Sequence, residues 1–270
     1  MPRGYFPAAT ACLLVLALAP APVAGAQQPD VQAIIEKSVE ANQADSKASA
    51  CFDYKELDTV GNGSRTYQVT TIEGTPYERL IAVDDKPLPK DRQEQELRKQ
   101  EQVTAQRKAD SPQQKRARIA KWEKEQQRDN EMITQLTKAF HFTAAGQHNV
   151  SGFEVWLLKA TPRPGYSPPN RNARVLTGMQ GELWIDQATC QWVKVTAHVI
   201  HPVSIEGFLA RVEPGTQFEL DKSPVDGGTW QATHFSMRAH AKVLGFVKHS
   251  SSEDTTYYDY HLTSKNCGTK

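Results

Sequence analysis

The chain has four cysteines in 270 residues, 8% aromatic residues, and almost no excess of charge, with 32 Lys or Arg against 31 Asp or Glu. Each scarcity excludes something. A near-neutral chain lacks the basic footprint that non-specific nucleic-acid binding requires, so nucleic acid is not an expected partner. So few cysteines, set far apart, do not make a zinc site. Long apolar runs are missing as well. The one such stretch, residues 8–19, is shorter than the roughly 20 residues that cross a bilayer, and nothing later replaces it. Gly-rich phosphate loops, a Gly-x-Ser-x-Gly elbow and a His-Glu-x-x-His pair are also absent, so neither a cofactor nor covalent chemistry is expected.

What is present begins with an export signal. Arg3 supplies a positive start, residues 8–19 an apolar centre, and Ala24-Gly25-Ala26 small residues for cleavage after position 26. Cleavage removes Arg3 and Cys12 and leaves 31 basic against 31 acidic residues. Cys51, Cys190 and Cys267 then remain in an oxidising compartment, which suggests one disulfide and one leftover thiol. Cys51–Cys267, joining the first strand to the tail, is the expected pair. Residues 27–270 are expected to form a single domain.

Asp30 can cap a short helix in which Val31, Ile34, Ile35 and Val39 form one stripe. A three-stranded meander follows over 50–58, 64–72 and 77–83, turned first at Gly61-Asn62-Gly63, where positive φ is tolerated. Composition then shifts abruptly. Residues 86–131 carry 13 basic and 9 acidic residues, so a segment of +4 faces a body of −4. Ser111-Pro112 divides a helical insertion, 86–140, into two helices, because proline starts a helix better than it continues one. The second helix is amphipathic through Ile119, Trp122, Ile133, Leu136 and Phe140. A solvated hairpin whose far end docks on the sheet is the simplest reading; a partner-binding arm is the rival.

From Phe142 onward the pattern is strand after strand, interrupted by a proline-rich loop at 162–172 that suits a rim or flap. Alternation places Val193, Val195, Ala197 and Val199 on one face, with Phe235, Met237 and Ala239, and Tyr258, Tyr260 and Leu262, in the later strands. Breaks are expected between strands 229–240, 241–248 and 254–262. About three helices must cover roughly ten strands. A mainly β fold, with a large curved antiparallel sheet forming an open half-barrel around those helices, meets that constraint.

Gly181-Glu182-Leu183-Trp184-Ile185-Asp186, the turn Gln187-Ala188-Thr189-Cys190, and Gln191-Trp192-Val193-Lys194-Val195 resemble the central strands of the LolA/LolB-like lipoprotein-carrier superfamily, whose fold also occurs in RseB-type stress regulators. The stretch 74–88 looks like a group of exported bacterial lipoprotein-sorting-like proteins. The resemblance implies a periplasmic protein that binds a lipid or the acyl chains of a lipoprotein, without catalysis. Tyr67, Val69, Trp184, Val193, Val195, Val199, Phe235, Met237, Tyr258 and Tyr260 are the residues that would line its apolar cavity if they are not plain core. An envelope adaptor that binds a protein through the charged insertion is the alternative. An exported enzyme would need groups gathered by folding, either Asp53, Asp186 and Asp259 paired as acid and base across a groove or His234, His240 and His261 brought together as a metal site.

Overall fold

The structure, a computed structural model, describes residues 30–205, 210–243 and 247–263. The expected signal peptide and Cys267 lie outside the described residues. Helix α1 (Val31–Ala48) starts where Asp30 accepts a hydrogen bond from the Ala33 amide, and it buries Ile35 and Val39. The meander follows as β1 (Phe52–Val60), β2 (Gly63–Ile72) and β3 (Thr75–Val83), with Gly61 at φ 62° in the first turn. A two-residue strand, β4 (Lys86–Pro87), pairs with the end of β3.

Helices α2 (Lys90–Ala109) and α3 (Pro112–Ala139) come next. They divide at Ser111, whose hydroxyl accepts from the Gln114 amide while the Gln114 side chain accepts from the Ser111 amide, a reciprocal capping box. The hairpin is tied down more firmly than a solvated arm would be. Arg107 donates to the carbonyls of Ile72, Thr75 and Pro76. Arg118 donates to the Glu73 carbonyl and pairs with Asp110, and Lys115 pairs with Glu73 at 2.7 Å. The corner between the helices is thus clamped onto the β2–β3 turn.

The remaining strands are β5 (Phe140–Val150), β6 (Phe153–Pro162), β7 (Met179–Asp186), β8 (Trp192–Val199), β9 (Val203–Ser204), β10 (Ala210–Val212), β11 (Gln217–Pro224), β12 (Trp230–Val243) and β13 (Val247–Leu262). The breaks expected near 240 and 254 are absent. Two long strands form one hairpin there, in register from His234↔Thr256 to Val243↔Val247. All pairings are antiparallel, in the order β4-β3-β2-β1-β13-β12-β11-β8-β7-β6-β5, with β9 and β10 off this path. The sheet is not closed, and α3 contacts β3 near one edge and β5 at the other. At 28 residues, roughly 42 Å, α3 is long enough to run along a trough curled around it.

One half of the trough is filled. Ile35 and Val39 of α1, Ala173 and Leu176 of a 3₁₀ segment, and Leu158, Leu183, Ile185, Trp192, Val195 and Val199 of β6–β8 form the main core. Met132, Ile133 and Leu136 of α3 pack against it. The proline-rich loop is strapped to the same end of α3: Arg163 donates to the Phe140 carbonyl, and the Tyr166 hydroxyl bonds Gln135. A polar seam also fixes α1. Trp192 Nε1 donates to Ser38 Oγ, Lys222 Nζ to Asn42 Oδ1, and Gln191 Nε2 together with the Trp230 amide to Asp45.

Two bulges break the expected alternation. Ile185 pairs with Trp192 but Trp184 with Lys194, so Val193 is an extra residue. Trp192 thereby joins the main core, while Val193 packs with Val155 and Trp230 in a second cluster. In β13, Asp259 sits at φ 58° and the β1–β13 register shifts between Asp53 and Lys55. The expectation that Tyr258, Tyr260 and Leu262 share a face fails at this bulge. Tyr257 and Tyr260 turn toward the helices, while Tyr258 pairs in register with Lys55 and is 40% exposed.

Candidate functional site

The other half of the trough keeps a pocket. Its floor comes from Phe52 and Tyr54 of β1, Val69 and Thr71 of β2, Gln231 and Ala232 of β12, and Tyr257 and Tyr260 of β13; Trp122 and Gln126 of α3 form the roof. The volume is about 210 Å³. Tyr54 is the hub of the floor, stacked on Tyr260 at 5.1 Å and tilted against Tyr257 at 6.1 Å, while Phe52 meets Tyr260 edge-on at 6.0 Å. These rings converge because Tyr54 and Val69 are opposite one another in the β1–β2 ladder and because the bulge at Asp259 rotates Tyr260 inward. The Tyr260 hydroxyl donates to the Ala232 carbonyl, which fixes that ring.

Beside the aromatic floor lies a row of carboxylates. Glu56 is in register with Tyr67 on one side and Tyr257 on the other, so it shares their face. Burial, with Asp58, Glu78 and Glu253 nearby, pushes the Glu56 carboxyl up to about 7. The same burial and the Glu56 charge drive the Tyr54, Tyr257 and Tyr260 phenols well above their ordinary range.

The residues singled out from the sequence divide among four places. Val69 and Tyr260 line the pocket, and Tyr67 lies next to it opposite Glu56. Val195 and Val199 are buried in the filled core. Phe235 and Met237 lie on the same face, in register with Leu220 and Phe218, which pack against that core. Trp184 and Val193 belong to the second cluster, and Tyr258 faces away. Sequence reasoning missed Phe52, Tyr54 and Tyr257 as pocket residues and passed over Glu56. The stripe of α3 did mark Trp122, but strict alternation hid Tyr257.

Of the groups weighed for catalysis only Asp259 and His261 meet, at 3.2 Å and exposed, and the others are held by separate partners. Asp53 accepts from the Thr71 amide, Asp186 from Thr189, and Asp259 pairs with Lys55. His234 lies between Asp221 and Asp254, His240 bonds Ser250, and His261 meets Asp259. Glu219, Asp221 and His234 do come together, yet the Lys194 ammonium pairs with both carboxylates and offsets one of their two charges. A larger depression of about 390 Å³ along β8, β11, β12 and β13 is lined largely by polar groups, among them His198, Glu219, Ser236 and Arg238. Cys190 is a free thiol in the β7–β8 turn. No helix of the described residues is long and apolar enough to cross a membrane.

Fold and pocket together define an open antiparallel half-barrel with a helix laid over a partly empty trough. The chain is similar to an outer membrane lipoprotein-sorting protein domain from Vibrio parahaemolyticus, at 11% identity and a TM-score of 0.32, over 87% of this chain and 95% of that one. It is similar to a LolA superfamily protein from Nitrosomonas europaea, at 10% identity and a TM-score of 0.32, over 86% and 93%. It is also similar to a chain of the MucA/MucB complex of Pseudomonas aeruginosa, at 9% identity and a TM-score of 0.24, over 87% and 100%. No protein-family model and no curated protein matches the chain. At such identities and TM-scores the likeness transfers neither a ligand nor a role, and the functional reading rests on the trough itself.

Proposed function

We propose that this chain is an exported, periplasmic binding protein that shelters the apolar part of a lipid or lipoprotein acyl chain between α3 and the floor of β1, β2, β12 and β13, without covalent chemistry. The observation that carries this reading is the aromatic-floored pocket roofed by Trp122. Rings and aliphatic groups flank a space that is not filled, whereas Leu158 and Ile185 in the other half of the same trough have no exposed surface. Its 210 Å³ exceeds the roughly 150 Å³ cavity that accepts benzene and falls below the roughly 300 Å³ at which drug-sized pockets begin. A pocket of this size suits one chain end, and a longer chain requires α3 to lift. Burial contributes about 0.8 kcal/mol per methylene, so five methylenes supply about 4 kcal/mol before ordering costs.

The test is a calorimetric titration with octaethylene glycol monododecyl ether below its micelle concentration. Saturable binding at one site is expected, weakened about tenfold by Trp122→Ala, and unchanged by Lys159→Ala on β6. A wild-type protein that shows no saturable binding of this probe would overturn the reading.

The adaptor reading keeps one observation. Over its 20 residues α2 buries Glu96 alone, so it adds almost nothing to the core and leaves a charged face in water with Leu97 46% exposed. Charge reversal at Arg92 and Arg98 would then abolish capture of an envelope protein without weakening the alkyl probe.

A further inference from the structure

The pocket has a chemical bias beyond its apolar character. Five rings, Phe52, Tyr54, Tyr257, Tyr260 and Trp122, surround a space of about 210 Å³, and the four rings of the floor meet one another at 26°, 65° and 84° rather than lying in one plane. Aromatic faces attract cations, most strongly where water is excluded. A chain end alone does not call for tyrosine; leucine and valine would fill such a floor as well and leave no phenol to desolvate.

The charge beside those rings has the matching sign. Glu56 stands in register with Tyr257, and its charge is felt by the Tyr54, Tyr257 and Tyr260 phenols. The charged groups that act on Glu56 are Asp58 of its own strand, Glu78 of β3 and Glu253 of β13, all acidic. Tyr67 is its partner on β2, and the α3 side chains over the pocket, Trp122 and Gln126, carry no charge. Arg65 is in register with Asp58 and is exposed. Among the described residues no ion pair joins a lysine or arginine to Glu56, Glu78 or Glu253, whereas Glu73, Asp110, Glu213, Glu219, Asp221 and Asp259 elsewhere each have one.

We propose that the pocket selects amphiphiles whose head carries an ammonium group, with the rings of Tyr54, Tyr257 and Tyr260 facing the cation and the Glu56 carboxylate as its counter-charge. This inference rests on the amphiphile reading above and adds a class of ligand to it. A cation stabilises ionised Glu56, so uptake releases the proton that this carboxyl, held near 7, retains in part at neutral pH. Affinity for a cationic probe therefore rises between pH 6 and pH 8, and affinity for a neutral one does not.

The experiment compares dodecyltrimethylammonium with octaethylene glycol monododecyl ether, two probes with the same chain, by calorimetry below their micelle concentrations at pH 6 and pH 8. At pH 8 the cationic probe is expected to bind at least tenfold more tightly, and the ratio to shrink about fivefold or more at pH 6. In Glu56→Gln the ratio falls to within twofold of unity and its pH dependence disappears. Tyr257→Leu, which keeps an apolar side chain, lowers the ratio as well, and circular dichroism verifies that both variants are folded. Equal affinity of the wild type for both probes would overturn the ammonium preference and leave the amphiphile reading standing. Binding of neither probe would overturn both.

Discussion

The two halves of this sheet share one long helix and behave differently. Under α1 and the C-terminal half of α3, strands β6–β8 meet a solid core in which Leu158 and Ile185 have no exposed surface. Under Trp122 and Gln126, strands β1, β2, β12 and β13 meet a gap. The difference follows from what each half is given to bury. The filled half receives two apolar helical stripes and the 3₁₀ segment with Ala173 and Leu176. The open half receives one indole, one amide and a floor of rings and polar side chains, with a row of carboxylates beside it. Volume is left over where apolar side chains run out, and that volume is the proposed site.

The comparison predicts unequal costs for similar cuts. Leu158→Ala should lower stability by about 2–5 kcal/mol, because it opens a cavity in a region with no slack. Val69→Ala, equally buried but beside the pocket, should cost about 1.5 kcal/mol, close to transfer alone. Urea unfolding measures both, and equal losses per methylene removed would erase the distinction between the halves. Between these two in size is Asp45→Ala, which strips the acceptor from Gln191 and from the Trp230 amide and should cost about 2 kcal/mol. Asp45→Asn, which keeps one oxygen, should recover part of it.

A smaller effect separates the halves by pH. The folded Glu56 carboxyl lies near 7 and the unfolded one near its ordinary 4.5. Between those values the folded chain holds a proton that the unfolded chain has lost, so stability falls as pH rises through this window. Glu56→Gln removes the penalty. It should stabilise the protein by about 1 kcal/mol at pH 8, allowing for solvent screening, and not at pH 4. The smallest effect concerns the thiols. If Cys51 and Cys267 pair, alkylation of the denatured, unreduced mature chain followed by intact-mass measurement should label Cys190 alone; two or three labels would exclude that pairing.

The sequence carried the local boundaries more plainly than the pocket. Asp30, the stripe of α1, the Gly61-Asn62 turn and the break at Ser111-Pro112 are local signals, each set by capping or backbone preference, and each lies where the pattern places it. The shortage of helices for so many strands led to an open, curved sheet, which is the observed architecture. The pocket was obscured by parity. One extra residue at Val193 and another at Asp259 reverse which side chains face inward, and period-2 reading has no means of locating a bulge that arises from strand pairing far along the chain. Tyr258 was therefore assigned to the trough while Tyr257 was passed over. The isolation of Glu56 was illegible for the same reason, since its neighbours Glu78 and Glu253 come from strands 20 to 200 positions away.

The chain's five tryptophans make the central claim directly measurable. Trp122 roofs the open half; Trp156 and Trp192 pack in the main core, and Trp184 and Trp230 in the second cluster. Indole N–H resonances of ¹⁵N-labelled mature protein, followed while dodecyltrimethylammonium is added, report on every region at once. A saturable shift of the Trp122 signal, with the other four essentially still, is the predicted result. Shifts centred on Trp156 or Trp192 with Trp122 unmoved would place the ligand in the half described as solid and contradict the account.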